Sequence, residues 1–418
     1  MATIEQLTAL EILDSRGRPT VRCTCRLADG VTASASVPSG ASTGSAEALE
    51  LRDGDPARYR GFGCRKAVEN INTTLYAALK GRSFETQAAL DEALIELDGT
   101  PNKARLGANA LLAVSLAFAR AAACARGLPL YAAFAELLGR KVDGLPRPMI
   151  NLFSGGKHAG GQVEVQDVQI MALCADTVDE ALRMTFEVFY AAADLCAREF
   201  GMRLLTADEG GLAPAFTDID AMFAMAVRAI ELAGLRPGVE MALTVDVAAS
   251  HFYRQGTYHL GGQALNGAAL IERLQSWLRD YPIVSIEDGL AEEDWANWRA
   301  LRAAVAGKAF VLGDDLLCTH PDRIARAIAE EAADALLLKV NQIGTLTEAA
   351  QAAALARSAS WRVVVSARSG ETEDDWLADL ATAWGDYIKV GAITQSERLA
   401  KYNRLLAIEA ESSLLLRP

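Results

Sequence analysis

Ala335-Leu336-Leu337-Leu338-Lys339-Val340-Asn341-Gln342 is an apolar run closed by a lysine. An apolar stretch of this length without polar alternation predicts a strand buried on both faces, the pattern of a parallel sheet. A lysine at its C-terminal end is costly to keep dry. It either snorkels to water or is held among partners that need its amine. The second reading is favoured because Asp246, Glu287, Asp314 and Lys389 end other apolar runs in the same way.

The same grammar extends in both directions. Adjacent strands are expected at 149–153 and 165–173, then a long helix at 177–200 and a short strand leading into Thr206-Ala207-Asp208-Glu209. Further strands at 242–247, 283–287, 310–314, 335–341, 362–366 and 387–390 alternate with helical stretches. About eight strands over roughly 270 residues fit a β/α barrel that starts irregularly, where two strands are adjacent. An open doubly wound sheet would expect a Gly-rich dinucleotide turn after its first strand, and none is present. Ahead of the barrel, residues 1–37 predict an antiparallel meander, with Val21, Cys23, Cys25 and Leu27 alternating with polar neighbours and Asp29-Gly30 as a hairpin turn. A helix is expected from near Glu47, followed by helices at 65–79, 85–97 and 108–126. The chain therefore reads as α/β: a small N-terminal α+β domain over 1–138, then an irregular (β/α)8, TIM-like barrel over 139–418.

Composition narrows the function. In 418 residues the formal net charge is −13, which argues against a nucleic-acid partner, since that would demand a basic face. A small anionic substrate is compatible, because basic groups or metal ions can reverse the field inside a cleft. The seven cysteines have no metal-ligand spacing and read as reduced, core-filling thiols. The N-terminus lacks a basic start followed by an apolar core, and the alanine-rich window 108–125 is broken by Arg120 and reads as a buried helix. A cytoplasmic chain with no membrane partner is expected.

In such barrels catalytic groups come from the C-terminal ends of several strands. This chain places Glu209, Asp246, Glu287, Asp314, Lys339 and Lys389 there. Three carboxylates on strand ends suit Mg²⁺, which prefers oxygen ligands and keeps positions for water or substrate. The alternative is that each acid merely caps the following helix. A lysine near a metal and a second lysine has its pKa lowered, which makes it a base. A metal-bound carboxylate beside such a base is equipment for removing a proton α to that carboxylate.

These residues lie in motifs that resemble the enolase family along nearly the whole chain. The motifs include Leu13-Asp14-Ser15-Arg16-Gly17, Val37-Pro38-Ser39-Gly40-Ala41-Ser42-Thr43-Gly44, Gly155-Gly156-Lys157-His158-Ala159-Gly160-Gly161 and Asp208-Glu209-Gly210-Gly211. They continue with Ser285-Ile286-Glu287-Asp288, Gly313-Asp314-Asp315-Leu316, Leu338-Lys339-Val340-Asn341-Gln342, Arg368-Ser369-Gly370-Glu371 and Ser396-Glu397-Arg398-Leu399-Ala400-Lys401. The family's mechanism uses a lysine or histidine base with one or two Mg²⁺.

The resemblance implies interconversion of 2-phosphoglycerate and phosphoenolpyruvate, with two Mg²⁺ sites and a small phosphorylated anion as substrate. Asp246, Glu287 and Asp314 would hold the first Mg²⁺. Ser39, on the N-terminal loop, would close over the site and join a second. Lys339 would take the C2 proton, Glu209 would act as general acid, and Lys389 would contact the substrate carboxylate. Arg368 and Ser369 would grip the phosphate, while His158, Gln166 and Asp167 match positions lining the substrate. A homodimer formed partly through Asp14-Ser15-Arg16-Gly17 is also implied.

Departures from the family pattern fall near the chemistry. Asp167 stands where the family usually has glutamate, Ala367 where it has histidine, and Gly289 where it has proline. These leave three alternatives: an ordinary hydratase, a dehydratase acting on a modified 2-phosphoglycerate (carboxyphosphonoenolpyruvate synthesis is one such use in the wider family), or a weakly active binding or scaffold protein.

Overall fold

The computed structural model describes residues 1–41, 44–201 and 205–418. Strands β1 (Ala2–Leu13), β2 (Pro19–Leu27), β3 (Thr32–Ser36) and β4 (Ser83–Phe84) form an antiparallel sheet in the order β3-β2-β1-β4. Alternation buries Val21, Cys23, Cys25 and Leu27 on one face, joined by Ile4 and Leu7 on either side of a β-bulge in β1, and this face packs against the helix Ala108–Ala125. That helix is long and apolar enough to cross a membrane by length and composition, but 72% of it is buried inside the protein. Its alanines let sheet and neighbouring helices approach closely.

The helix expected from Glu47 does not form. Residues 47–53 run without helical structure, and their backbone is tied to distant segments: Ala48 N donates to Gln342 O at 2.7 Å and Leu49 N to Asn102 O at 2.8 Å. These tertiary bonds replace the local ladder a helix would need.

The barrel consists of β5 (Arg147–Ser154), β6 (Asp167–Ala172), β7 (Met241–Asp246), β8 (Ile283–Glu287), β9 (Phe310–Gly313), β10 (Ala335–Leu338), β11 (Arg362–Ser366) and β12 (Tyr387–Gly391). It closes in the order β8-β9-β10-β11-β12-β5-β6-β7. β6 is antiparallel to both its neighbours and every other pair is parallel. The irregular start expected from two adjacent strands is thus an antiparallel β5–β6 pair. β10 stops earlier than expected, because the chain turns at Lys339, whose backbone N donates to Thr319 Oγ1 at 3.0 Å, into a short helix Val340–Ile343. The strand expected before Thr206 falls partly on residues outside those described; Thr206 itself makes an isolated bridge to Leu212.

Strand parity explains how the barrel presents its site. Side chains alternate between inside and outside. Phe310 and Leu312, Ala335 and Leu337, Val364, Tyr387, Met149 and Met171 form one apolar cluster that fills the interior. Two residues further on, the same parity delivers Asp314, Lys339, Ser366, Lys389 and Asn151, while Gln169 and Asp167 lie two and four residues before Met171 on antiparallel β6. A single rule therefore puts an apolar plug at one end of the barrel and a polar rim at the other. Register then sets neighbours level: Glu287 beside Asp246, Asp246 beside Asp167, and Ser366 beside Lys389.

The N-terminal unit is docked on the barrel by packing and by charge. Helix Leu130–Leu137 lies against helix Trp376–Trp384, and Trp384 Nε1 donates to Phe134 O at 2.7 Å. Arg120 reaches Asp374 at 2.7 Å. Gly370 pairs with Ser39, and a Cβ there would fall 2.2 Å from Asp14 Oδ2. Only glycine permits that approach.

Candidate active site

The rim gathers ionisable groups into two linked nests. In the first, Lys389 Nζ donates to Asp246 Oδ2 at 2.9 Å and Glu287 Oε2 at 2.6 Å. Gln166 Nε2 adds a bond to Asp246 Oδ2 at 3.1 Å. Burial disfavours the Lys389 ammonium, yet Asp246 and Glu287 outweigh it and hold its pKa well above the ordinary lysine range. Alongside, Lys339 Nζ donates to Asp314 Oδ2 at 2.5 Å, and Gln342 Nε2 to Asp314 Oδ1 at 2.9 Å. None of the three acids caps a helix, so the capping alternative is excluded: their side chains are engaged by lysines and glutamines.

The second nest joins β5, β6 and the Glu209 turn. His158 Nδ1 lies 2.9 Å from Asp167 Oδ2 and its Nε2 lies 3.8 Å from Glu209 Oε1. Asn151 Nδ2 donates to Asp167 Oδ1 at 3.1 Å and Glu209 Oε2 at 3.2 Å, and Ser154 Oγ donates to Asp167 Oδ1 at 2.6 Å. Burial works against a charged His158, but Asp167 and Glu209 overcome it and raise its pKa to about 9.

The expected lowering of the lysine pKa runs the other way here. Burial is the largest influence and would lower Lys339, but the Asp314 and Glu287 carboxylates together outweigh it and the net direction is up. Burial would raise Glu209, but His158, Arg398 and both lysines hold it below the usual range. The sequence reading counted the lysines against each other and missed how closely each carboxylate finds a cation.

The phosphate-gripping candidates lie next to this rim. Arg368 is bidentate to Glu47, both contacts 3.1 Å, and donates to Asn341 Oδ1 at 2.8 Å. Ser369 and Arg368 are held from behind: Arg398, fully buried, donates to Arg368 O and Ser369 O, each at 2.7 Å. Ser39 is 1% exposed, and its hydroxyl accepts from Arg52 at 2.6 Å and donates to Glu50 at 3.2 Å. Joining a cation would require it to leave those partners. Ser42 and Thr43 of the same loop lie outside the described residues.

His158, Gln166, Glu209, Asp246, Lys339, Arg368, Ser369 and Lys389 converge on one cavity of about 20 Å³, together with Ala41, Ser366 and Ala367. Glu287, Asp314, Asp167 and Ser39 are engaged around it without lining it. That volume admits water rather than a substrate, so the groups are gathered in a closed arrangement. Asn151, Ser154, Glu47, Gln342 and Arg398 shape the site, and sequence reading assigned none of them a role. Asn151 left a signal, a lone polar residue inside an apolar run.

The donor set fits a hard divalent cation. Glu287 Oε1 is buried with no hydrogen-bond partner among the described residues. Burial and the neighbouring Asp246 charge push the Glu287 carboxyl well above its ordinary range. An oxygen donor left short of positive charge, beside two further carboxylates, is what Mg²⁺ selects. Another acidic group, Asp288 with Asp314 and Asp315, is close enough to hold an ion. Asp288 there already accepts from the backbone N of Asp314 at 3.0 Å and of Asp315 at 2.7 Å.

A closed eight-stranded barrel with carboxylates and lysines converging on its C-terminal rim defines a β/α-barrel enzyme. Residues 4–134 match the family model for the enolase N-terminal domain, and residues 143–414 match that for the enolase C-terminal TIM barrel domain. The chain belongs to the enolase family. The chemistry of that family is Mg²⁺-dependent dehydration and hydration, a lyase reaction.

Proposed function

We propose that this protein interconverts 2-phosphoglycerate and phosphoenolpyruvate. The observation that carries the reading is the convergence of Lys339 and Glu209 on one cavity with Asp246 and Lys389. In dehydration Lys339 takes the C2 proton and Glu209 delivers one to the departing C3 hydroxyl. The raised pKa of Lys339 and the lowered pKa of Glu209 match the reverse direction, in which Lys339 gives its proton to C2 and Glu209 takes one from water. Asp246, Glu287 and Asp314 would hold Mg²⁺, which would supply positive charge to offset the negative charge developing on the substrate carboxylate. Lys389 adds a fixed ammonium to the same carboxylate. Arg368 exchanges Glu47 for the phosphate, a swap its planar fork suits, with Ser369, His158 and Gln166 completing the lining. Ser39 is assigned to a second, substrate-dependent Mg²⁺.

The test is enol absorbance with Mg²⁺ and 2-phosphoglycerate; a flat trace at high concentration of demonstrably folded protein sinks the reading.

A second reading, dehydration of a substituted 2-phosphoglycerate, is favoured by Ala367. This small side chain lines the cavity where the family carries an imidazole, and the shortened Asp167 is drawn back onto Ser154 and His158. Restoring the family residues with Asp167→Glu and Ala367→His should raise activity on 2-phosphoglycerate and lower it on the analogue. No change in either rejects this reading. Gly289 needs no such account. A Cβ there would sit 2.9 Å from Ile286 Cγ2 and 3.0 Å from Leu301 Cδ2, so neighbouring aliphatics already fill the space.

We further propose a homodimer using the Asp14–Gly17 region, supported by the exposed Leu10 and Leu13 on the adjoining strand; a monomer by ultracentrifugation contradicts it. A reducing, cytoplasmic location is supported by the seven free cysteines, five of them buried.

A further inference from the structure

The opposite end of the barrel holds a cavity of about 710 Å³, within the size range of small-molecule sites. Its floor is the outer surface of the apolar plug: Met171, Phe310 and Tyr387, flanked by Leu173 and Val284. Its rim is basic, although the chain as a whole carries −13. Arg299 pairs with Glu331 and Arg302 with Asp334, each at 2.6 Å. Lys308 and Arg362 also line the cavity, and neither has an ion-pair partner among the described residues. The Arg362 guanidinium rests 5.0 Å above the Phe310 ring.

Tyr387 supplies an independent sign. Its ring stacks on Phe310 at 5.7 Å and only 9% of the residue is exposed. Its hydroxyl makes no hydrogen bond to any described residue, and Tyr387 lines the cavity, so that donor is free for a ligand. An unused donor, two unpaired cations and an apolar floor bound one volume.

We propose that this cavity binds a small organic phosphate. Lys308 and Arg362 take the anionic end, the Tyr387 hydroxyl donates to it, and Met171, Leu173 and Val284 cover the carbon body. Charge-assisted bonds from an arginine fork and a lysine suit phosphate oxygens. The site does not depend on the reading of the catalytic rim. Phe310, Arg362 and Tyr387 begin β9, β11 and β12, whereas the rim groups lie at the other ends of the same strands.

The test is titration calorimetry of the full chain in EDTA, with ADP and with inorganic pyrophosphate as probes. Saturable ADP binding is expected, weakened at least fivefold by Lys308→Ala and by Arg362→Gln, and unchanged by Arg368→Gln on the catalytic rim. Tyr387→Phe should weaken it by a smaller factor, with melting curves showing each variant folded. Because Lys308 is exposed, its substitution is the safest for folding. Absence of saturable heat at millimolar ADP, or equal binding by wild type and Lys308→Ala, overturns the site. Pyrophosphate binding as tightly as ADP overturns the role given to the apolar floor.

Discussion

Replacing Lys389 with methionine tests the electrostatics of the rim most directly. The ammonium lies 2.9 Å from Asp246 and 2.6 Å from Glu287, in a residue only 6% exposed. Methionine keeps most of the stem volume, so little cavity is made and the loss is chiefly that of charge. Deleting one partner of a buried ion pair costs about 3–5 kcal/mol, and here the lost ammonium serves both carboxyl groups. A destabilisation of about 4 kcal/mol is therefore expected at pH 7 in EDTA, read from urea unfolding by circular dichroism. At one fixed Mg²⁺ concentration, about a hundredfold above the wild-type Kd, wild type should gain about 2.7 kcal/mol. The variant should gain more than wild type, because its carboxylates no longer share an ammonium.

The deficit should also shrink in acid. Burial alone would raise Asp246, but Lys389 overrides it and holds it low. That share of stability is present above the unfolded carboxylate value, about 3.9, and is lost as pH falls through the lower folded one. A loss below about 1 kcal/mol in EDTA, or equal stabilisation of both proteins by Mg²⁺, would refute the assigned nest.

Lys339→Ala should reduce turnover by about 10²- to 10⁴-fold while leaving circular dichroism unchanged; wild-type rates from the variant would remove the base. His158→Gln should lose stability in a defined pH window. The folded pKa of His158, about 9, lies above its ordinary 6.5. Its contribution is thus fully present below pH 6.5 and disappears as pH rises through about 9. The gap between wild type and variant, up to about 3 kcal/mol at pH 6, should close by about pH 10; a gap independent of pH rejects the ion pair with Asp167. Arg398→Met should cost about 3 kcal/mol or more, because the Arg368, Ser369 and Val390 carbonyls lose a buried charged donor. It should also raise KM more than it lowers kcat, and an unchanged KM would show that Arg398 does not position the phosphate-binding loop.

Much of the barrel was legible because burial writes itself into local pattern. Ile283–Glu287 and Arg362–Ser366 are bounded in the sequence as they are in space, and the period of two that buries Ala335 and Leu337 also aims Lys339 inward. The alternation around Cys23 and Cys25 located a buried sheet face for the same reason. Residues 47–53 were misread as the start of a helix, because the bonds that hold them come from Asn102 and Gln342, which no local window contains.

The chain by itself thus settled which side chains end the buried strands, since that depends only on where apolar runs stop. Partnership among those side chains was settled by tertiary structure. Lys389 shared between Asp246 and Glu287, Arg368 clasped by Glu47, and His158 set between Asp167 and Glu209 all join residues from different elements. Proton affinity follows distance and burial, and those exist only once the barrel has closed and the N-terminal unit has docked on it.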